Sequence, residues 1–316
     1  MHHDNKSEVF KIKKLSNIGI ILAAGMGTRL HPETNTKPKS LVSVYDKPIL
    51  WYQISGFNEA RIDLLLIITG YKSEKIEDYV KNISSNVSFP IVIIKNNDYK
   101  RTNNMYSLWL GYEHLRQNKI DYDVLFVLNG DVFMEKSLLV KAVRKTTGSK
   151  IFVDRSQYNE ESMKIEIDSV TNKIINISKD IGPDRAYGVS IDLYRFEKDN
   201  AEILYTVIKN DFINKNILNK WTEFAIQRGF LNNLLDMYPE EITGYTWWEI
   251  DNFQDLERAK WLQKFRNEFM AIFEKKRIFA FDIDGTVVTA NQQIPYAKEF
   301  LELLHNQNKK NSLSNK

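Results

Sequence analysis

One stretch limits what this chain can become more than any other. It is Leu22-Ala23-Ala24-Gly25-Met26-Gly27-Thr28-Arg29-Leu30, set directly behind the apolar run Ile18 to Leu22. A short, uninterrupted Ile/Leu run reads as a strand buried on both faces. The small residues that follow let backbone N–H groups approach a polyphosphate and cradle its oxygens. Ala23, Gly25, Gly27 and Thr28 are therefore the expected nucleotide contacts. Arg29 adds a planar, bidentate cation suited to the β- and γ-phosphates. Glycine in a strand-to-helix turn is weak evidence alone, because many such turns need positive φ. The spacing departs from the Walker loop, which continues Gly-Lys-Ser/Thr, and from the dinucleotide pattern, which needs a third glycine. Lys37-Pro38-Lys39-Ser40-Leu41-Val42 comes soon after. Alone it reads as a solvated turn, but its proline stiffens the chain so that Lys39 is held beside the loop.

The first half alternates strands and helices. Strands are expected at Ile18–Leu22, Leu64–Thr69, Ile91–Lys95 and Val124–Leu128, and helices at Ile49–Glu59, Glu74–Lys81 and Asn104–Leu115. This pattern predicts an α/β fold with a mostly parallel, Rossmann-like sheet covered on both faces. Beyond residue 150 short strands at Lys150–Val153, Met163–Ile167 and Ile174–Ser178 point to a mixed or antiparallel part. Helices Lys198–Ile208 and Leu218–Leu235, a strand Ile242–Trp248 and a long helix Phe253–Phe273 complete the reading. The expected division is an arm over 1–15, a main domain over 16–274, a βα fragment over 275–305 and a disordered tail over 306–316.

With 44 basic and 41 acidic residues the formal charge is only +3, which argues against a nucleic-acid surface. There are no cysteines, so disulfides and thiolate zinc sites are excluded. No apolar run reaches the ~20 residues that span a bilayer. The polar start lacks an apolar signal region, so no membrane partner and a cytoplasmic location are the expectation.

The block Gly19 to Leu50 resembles the opening of the nucleotidyltransferases that make nucleoside-diphosphate sugars and CDP-alcohols, a GT-A-like fold. Two aspartates end apolar runs at the edge where open α/β sheets bind ligands: Asp131 after Val124–Gly130, and Asp251 after Tyr245–Ile250. By themselves they read equally as turn residues, or as an N-cap in the case of Asp251. The resemblance implies that both are metal ligands for Mg²⁺ and, with Arg29 and Lys39, the catalytic set. Glu249, two residues earlier on an extended segment, is a secondary candidate.

Where sugar-type members carry Gln-Glu-x-Pro-x-Gly, this chain has Asn103-Asn104-Met105-Tyr106-Ser107-Leu108-Trp109. That departure, with the Leu-Ala-Ala-Gly opening, resembles the CTP:phosphocholine cytidylyltransferases and their phosphonate-using relatives. The resemblance implies base or ribose contacts from Asn104 and Ser107, with Asn103 also a helix N-cap. It further implies acceptor-phosphate contacts from Lys164 and Lys179, which otherwise read as exposed strand lysines. Trp221 and Glu223 resemble the Trp-plus-acid stretch of phosphocholine-using relatives, and Tyr187, Trp247 and Trp248 fall on the same expected side. Large aromatics at such spacing are as often core.

The function so implied is transfer of CMP from CTP to a small phosphorylated or phosphonate acceptor, with pyrophosphate released. The acceptors in view are phosphocholine, phosphoethanolamine and 2-aminoethylphosphonate, and the runner-up is a sugar-1-phosphate nucleotidyltransferase. A phosphate acceptor with a second pKa near ~6 needs no general base, so the five histidines need not act. A homo-oligomer is compatible with all of this. Finally, Phe279–Val288 with Asp282-Ile283-Asp284-Gly285-Thr286 resembles the nucleophile motif of haloacid-dehalogenase-type phosphatases. The later elements of that family are missing, so the fragment is expected to be inactive.

Overall fold

The computed structural model describes residues 14–156, 158, 160–242, 244–273, 288–289 and 292–293, with side chains as far as 264. Strand β1 (Leu15–Ala23) runs through the centre. A two-residue hairpin, β2 (Ser43–Val44) and β3 (Lys47–Pro48), leads into helix α1 (Ile49–Ala60). Then come β4 (Leu64–Thr69), α2 (Ser73–Ile83), β5 (Ile91–Lys95), α3 (Asn104–Gln117) and β6 (Tyr122–Asn129). Strands β5, β4, β1 and β6 lie side by side and parallel. Their near-continuous Ile/Leu/Val content follows from burial on both faces.

Short β7 (Val132–Met134) and α4 (Lys136–Arg144) follow. The second half adds β8 (Lys150–Asp154), β9 (Lys164–Ile167), β10 (Ile174–Ser178) and β11 (Gly188–Glu197). Here the pairing is antiparallel, with β11 against β6, β8 and β9, and β10 against β9. After α5 (Lys198–Val207) one π-helical stretch, Ile208–Ile213, precedes α6 (Thr222–Leu231). Strand β12 (Tyr238–Glu241) pairs parallel to β8, β13 (Trp247–Glu249) pairs antiparallel to β7, and α7 (Phe253–Phe273) follows.

The sheet is thus mixed, with helices on both faces, as the alternation of apolar runs implies. Helices α3, α5 and α6 pack on one face through Met105, Leu108, Leu204 and Ile226. Helices α1, α2 and α4 cover the other through Ile54, Phe57, Ile76, Val80 and Leu138. A third cluster, with Leu30, Val44, Ile49, Phe133 and Leu256, ties α7 to the small hairpin.

Two expectations need correction, and one strand was not expected at all. The helix expected over Leu218–Leu235 is confined to Thr222–Leu231, and the strand expected over Ile242–Trp248 to Trp247–Glu249. The longest strand among the described residues, β11, is the unexpected one: its apolar residues change phase between Leu193 and Tyr194, and Ser190, Asp192 and Arg195 are buried polar residues within it. The phosphatase-like Asp282 and Asp284 lie outside the described residues. No helix among the described residues is long and apolar enough to cross a membrane.

Candidate active site

At the carboxyl ends of β1 and β6 the chain turns back on itself, and the turns meet. Gly130 donates its N–H to the Leu22 carbonyl at 2.9 Å. A Cβ on Gly130 would lie 2.8 Å from that oxygen, so only glycine permits the approach. After β1, Gly27 sits in the left-handed region at φ 61°, and its carbonyl accepts from Thr34 Oγ1 at 2.8 Å. Its missing Cβ would stand 3.0 Å from the Lys39 Cβ, so the loop folds directly onto that lysine. Gly25 differs: a Cβ there would meet no protein atom within 4 Å, and the residue borders an open cavity.

Pro38 delivers Lys39 to a single tight turn, Lys39–Leu41. From there the ammonium donates to Asp131 Oδ2 and Asp251 Oδ1, each at 2.8 Å. Arg29 reaches the same Asp251 oxygen at 2.9 Å while remaining largely exposed. Burial works against the charge on Lys39, but Asp131 and then Asp251 outweigh it and hold its pKa above the usual value. Burial likewise pushes the Asp251 carboxyl up, yet Lys39 and Arg29 leave it below the ordinary carboxylate range.

The two aspartates come from distant parts of the sequence through local pairing. Strand β13 runs against β7, and the Ile250 N–H donates to the Asp131 carbonyl at 3.1 Å. Asp251 does not cap α7. Asn252 does, accepting from the N–H groups of Gln254 and Asp255, while Asp255 returns a bond to the Asn252 N–H. This reciprocal capping box frees the Asp251 side chain for the site. Glu249 shares the wall, and carboxylate oxygens of Asp131, Glu249 and Asp251 lie within 4.8 Å of one another. Burial, then the charges of Asp131 and Asp251, push the Glu249 carboxyl up to about 8.

The cavity holds about 1060 Å³. Its lining includes Ala23, Gly25, Gly27, Thr28, Arg29, Lys39, Asn104, Ser107, Asp131 and Asp251. The lining also includes Lys179, Trp221 and Glu223. Asn103 caps α3 as expected, by accepting from the Asn104 N–H. Asn104 itself bridges elements, donating to Asn129 Oδ1 at 3.3 Å and accepting from the Thr222 N–H at 2.8 Å. Ser107 is buried and receives the Asn96 amide at 3.2 Å.

Two expected acceptor residues lie elsewhere. Lys164 is buried, does not line the cavity, and donates to the Glu160 carbonyl at 2.9 Å. Its burial lowers its pKa, only partly offset by Asp180 and Glu160. Tyr187 also stays out of the lining and packs on the sheet core, with the Arg155 guanidinium 4.6 Å from its ring centroid. Lys179 does reach the cavity, but its ammonium lies 4.7 Å over the Trp221 ring. Trp247 donates its indole N–H to Asp154 at 2.7 Å, and Trp248 carries Arg258 on its ring at 4.8 Å.

The sequence reading misses Asn96, Asn129 and Asp192, all of which line the cavity. Asp192 is buried, with φ 57°. It accepts from Asn129 Nδ2 at 2.8 Å and from Tyr194 OH at 3.2 Å, and the same hydroxyl lies 2.7 Å from Glu223 Oε1. The one available signal was the run of strand-length, half-polar residues after Gly188.

A glycine-lined loop, a buried lysine and paired strand-end aspartates now stand on one cavity, and the nucleotidyl transferase family pattern matches residues 18–176. The chain belongs to that family. This nucleotidyl transferase is 28% identical over 248 residues to the choline-phosphate cytidylyltransferase of Streptococcus pneumoniae, covering 78% of this chain and 99% of that one. It is 27% identical over 254 residues to the CTP:phosphoglutamine cytidylyltransferase of Campylobacter jejuni, with 75% and 97% covered. Its fold matches the solved CTP:phosphocholine cytidylyltransferase of Streptococcus pneumoniae with a TM-score of 0.63 at 25% identity. That match covers 79% of this chain and 100% of the other.

Proposed function

We propose that this nucleotidyl transferase moves CMP from CTP to a small phosphorylated or phosphonate acceptor with a cationic head, releasing pyrophosphate. One observation carries the reading. The phosphate loop with Lys39 and Arg29 opens on the same cavity as an acidic far side, Asp192 and Glu223. Relatives named for phosphocholine and phosphoglutamine support a cytidylyltransferase over a sugar-specific enzyme.

Asp131 and Asp251 fit a hard, oxygen-seeking ion such as Mg²⁺, with Glu249 beside them. The Asp131 Oδ1 atom is buried without a hydrogen-bond partner, as a ligand oxygen would be. A bound Mg²⁺ would supply Lewis-acid charge stabilisation at the α-phosphate. The residues do the remainder. Lys39 and Arg29 neutralise the triphosphate and the departing pyrophosphate, and the loop N–H groups orient it. Lys179, rather than the buried Lys164, is placed for the acceptor phosphate. The ring of Trp221 already carries Lys179, so we assign the cationic head to the carboxylates more than to an aromatic wall. Primary amines suit such acceptors, which favours phosphoethanolamine or 2-aminoethylphosphonate over phosphocholine.

Pyrophosphate release with each of four NTPs against phosphocholine, phosphoethanolamine, 2-aminoethylphosphonate and glucose 1-phosphate tests this. CTP with an amine acceptor should be fastest. A glucose 1-phosphate rate above every amine acceptor would overturn the assignment.

A further inference from the structure

Asp192 and Glu223 lie at one end of the cavity, from β11 and α6, and both are buried. Among the described residues neither has a lysine or arginine within ion-pair distance. They meet instead at one phenol. Tyr194 OH lies 3.2 Å from Asp192 Oδ1 and 2.7 Å from Glu223 Oε1. A phenol has one proton to donate. Two ionised carboxylates are acceptors only, so one of the two contacts would then oppose two lone pairs with no hydrogen between them. The geometry closes if one acid keeps its proton, donates it to the Tyr194 oxygen, and leaves the phenol proton for the other. The Ser190 hydroxyl, 3.4 Å from the same oxygen, adds a donor and no second acceptor that would relieve this.

We infer that Asp192 and Glu223 share one proton through the Tyr194 hydroxyl in the free protein, and that a cationic acceptor head expels it on binding. This rests on the cationic-acceptor reading above. In the step, one carboxyl O–H bond breaks, the proton passes to solvent, and the ammonium charge replaces it in the pocket. The pair therefore spends the acceptor-free state as a single negative charge, and becomes two only when a positive charge is present to meet it.

The surroundings agree. Burial pushes both carboxyls above the ordinary range; at Asp192 neighbouring acids add to it and carry the group well above, whereas at Glu223 the hydrogen bonds from Tyr194 and its own backbone offset part of the rise. The charged groups facing them are Asp131 at the end of β6, Glu249 on β13 and Lys179 after β10. The first two oppose ionisation, and only Lys179, already over Trp221, favours it at Glu223. Asn129 donates to Asp192 Oδ2 and partly offsets the burial.

Infrared spectra of the wild-type protein test the first half directly. Because Glu249 can carry a proton of its own, the band is read from the difference between the wild-type and Asp192→Asn spectra, which should contain a protonated-carboxyl band that shifts in D₂O. Asparagine tolerates the left-handed backbone at this position, so that variant keeps the fold. Absence of the band overturns the shared proton. For the second half, phosphoethanolamine should bleach the band while inorganic phosphate should not. Calorimetry in buffers of different ionisation enthalpy should count about one more proton released than in Asp192→Asn, whose phosphate ionises identically. The wild-type KM for phosphoethanolamine should then fall up to about tenfold per pH unit across the titration of the pair. Equal proton counts in the two proteins overturn expulsion. If no amine acceptor is turned over, the acceptor assignment falls and takes expulsion with it, while the infrared band still decides the shared proton.

Discussion

The two ends of one cavity solve the same electrostatic problem in opposite ways. At the phosphate-loop end Lys39 stands 2.8 Å from Asp131 and from Asp251, and with Arg29 it holds the Asp251 carboxyl below the ordinary range. Elsewhere on the cavity Asp192 and Glu223 have no such partner among the described residues and are pushed towards their neutral forms. A paired charge is ready to be exchanged for a substrate or metal charge of the same sign, whereas a suppressed charge has to be called out. The difference teaches that burial alone does not say what an acid does; the nearest cation does.

Removing the paired charges should have the largest effect. Asp131→Asn and Asp251→Asn should each lower turnover by roughly 10³-fold or more, with folding retained, since the charge met in the transition state is lost. Near-wild-type rates in either variant would show that its aspartate does not serve the reaction. Lys39→Met comes next. It leaves Asp131, Glu249 and Asp251 facing one another with only the exposed Arg29 at Asp251, and should cost about 3 kcal/mol in chemical denaturation. That is the lower end for a buried pair, because the two aspartates remain 26% and 28% exposed. Mg²⁺ should then raise the Tm of Lys39→Met more than that of wild type, because a ligand that binds the folded state stabilises it and no ammonium competes. An equal shift would separate the metal from this trio.

The paired acids were legible in the sequence through the resemblance, as was Glu223, whereas Asp192 was not. Runs such as Leu64–Thr69 and Ile91–Lys95 are continuous because parallel strands are buried on both faces, and they are observed with those bounds. The phosphate loop and Lys39 are close in sequence, so their chemistry shows as one cluster. Strand β11 hides itself. Its register with β8 slips between Ser190 and Tyr194, and the left-handed Asp192 sits in the slip. Such a bulge re-aims side chains and shifts the phase of the period-two alternation, so that Val189, Ile191 and Leu193 enter one core and Tyr194 and Phe196 the other. Lys164 and Tyr187 fail for a related reason: the choice of face depends on how β9 and β11 pair, and no local spacing records it.

The comparison makes opposite demands on stability against pH. A folded carboxyl raised by burial binds its proton more tightly than in the unfolded chain. Its contribution is therefore lost as pH rises from the ordinary carboxylate range, about 4, towards the raised value. Asp192→Asn should remove that loss and flatten the profile on its alkaline side. Asp251 is lowered, so its contribution is present above about 4 and fades as pH falls through the folded value. Asp251→Asn should instead flatten the acid side. Each limb can reach about 1.4 kcal/mol per pH unit. Denaturation midpoints across pH would expose the same sign in both variants, which would end the contrast.

The smallest effect bears on which acid holds the proton. Asn129 donates to Asp192 Oδ2 at 2.8 Å and accepts from Asn104, while its backbone carbonyl is held by Gln53. Only the bond to Asp192 touches the acid pair. Asn129→Ala removes both side-chain hydrogen bonds; the one from Asn104 is a constant loss, and the one to Asp192 is worth about 1 kcal/mol if Asp192 is neutral and about 2 kcal/mol if it is ionised. If the proton rests on Asp192, the destabilisation should be smaller at low pH and grow as the pair ionises. The stability profile would then steepen towards alkali. If the proton rests on Glu223, Asp192 is already an anion in the free protein, and the loss should be the larger value throughout. A profile displaced in parallel therefore places the proton on Glu223, and one that diverges with pH places it on Asp192. Because Asp131 and Lys39 keep their own contact in this variant, the acid limb assigned to Asp251 should not move in either case.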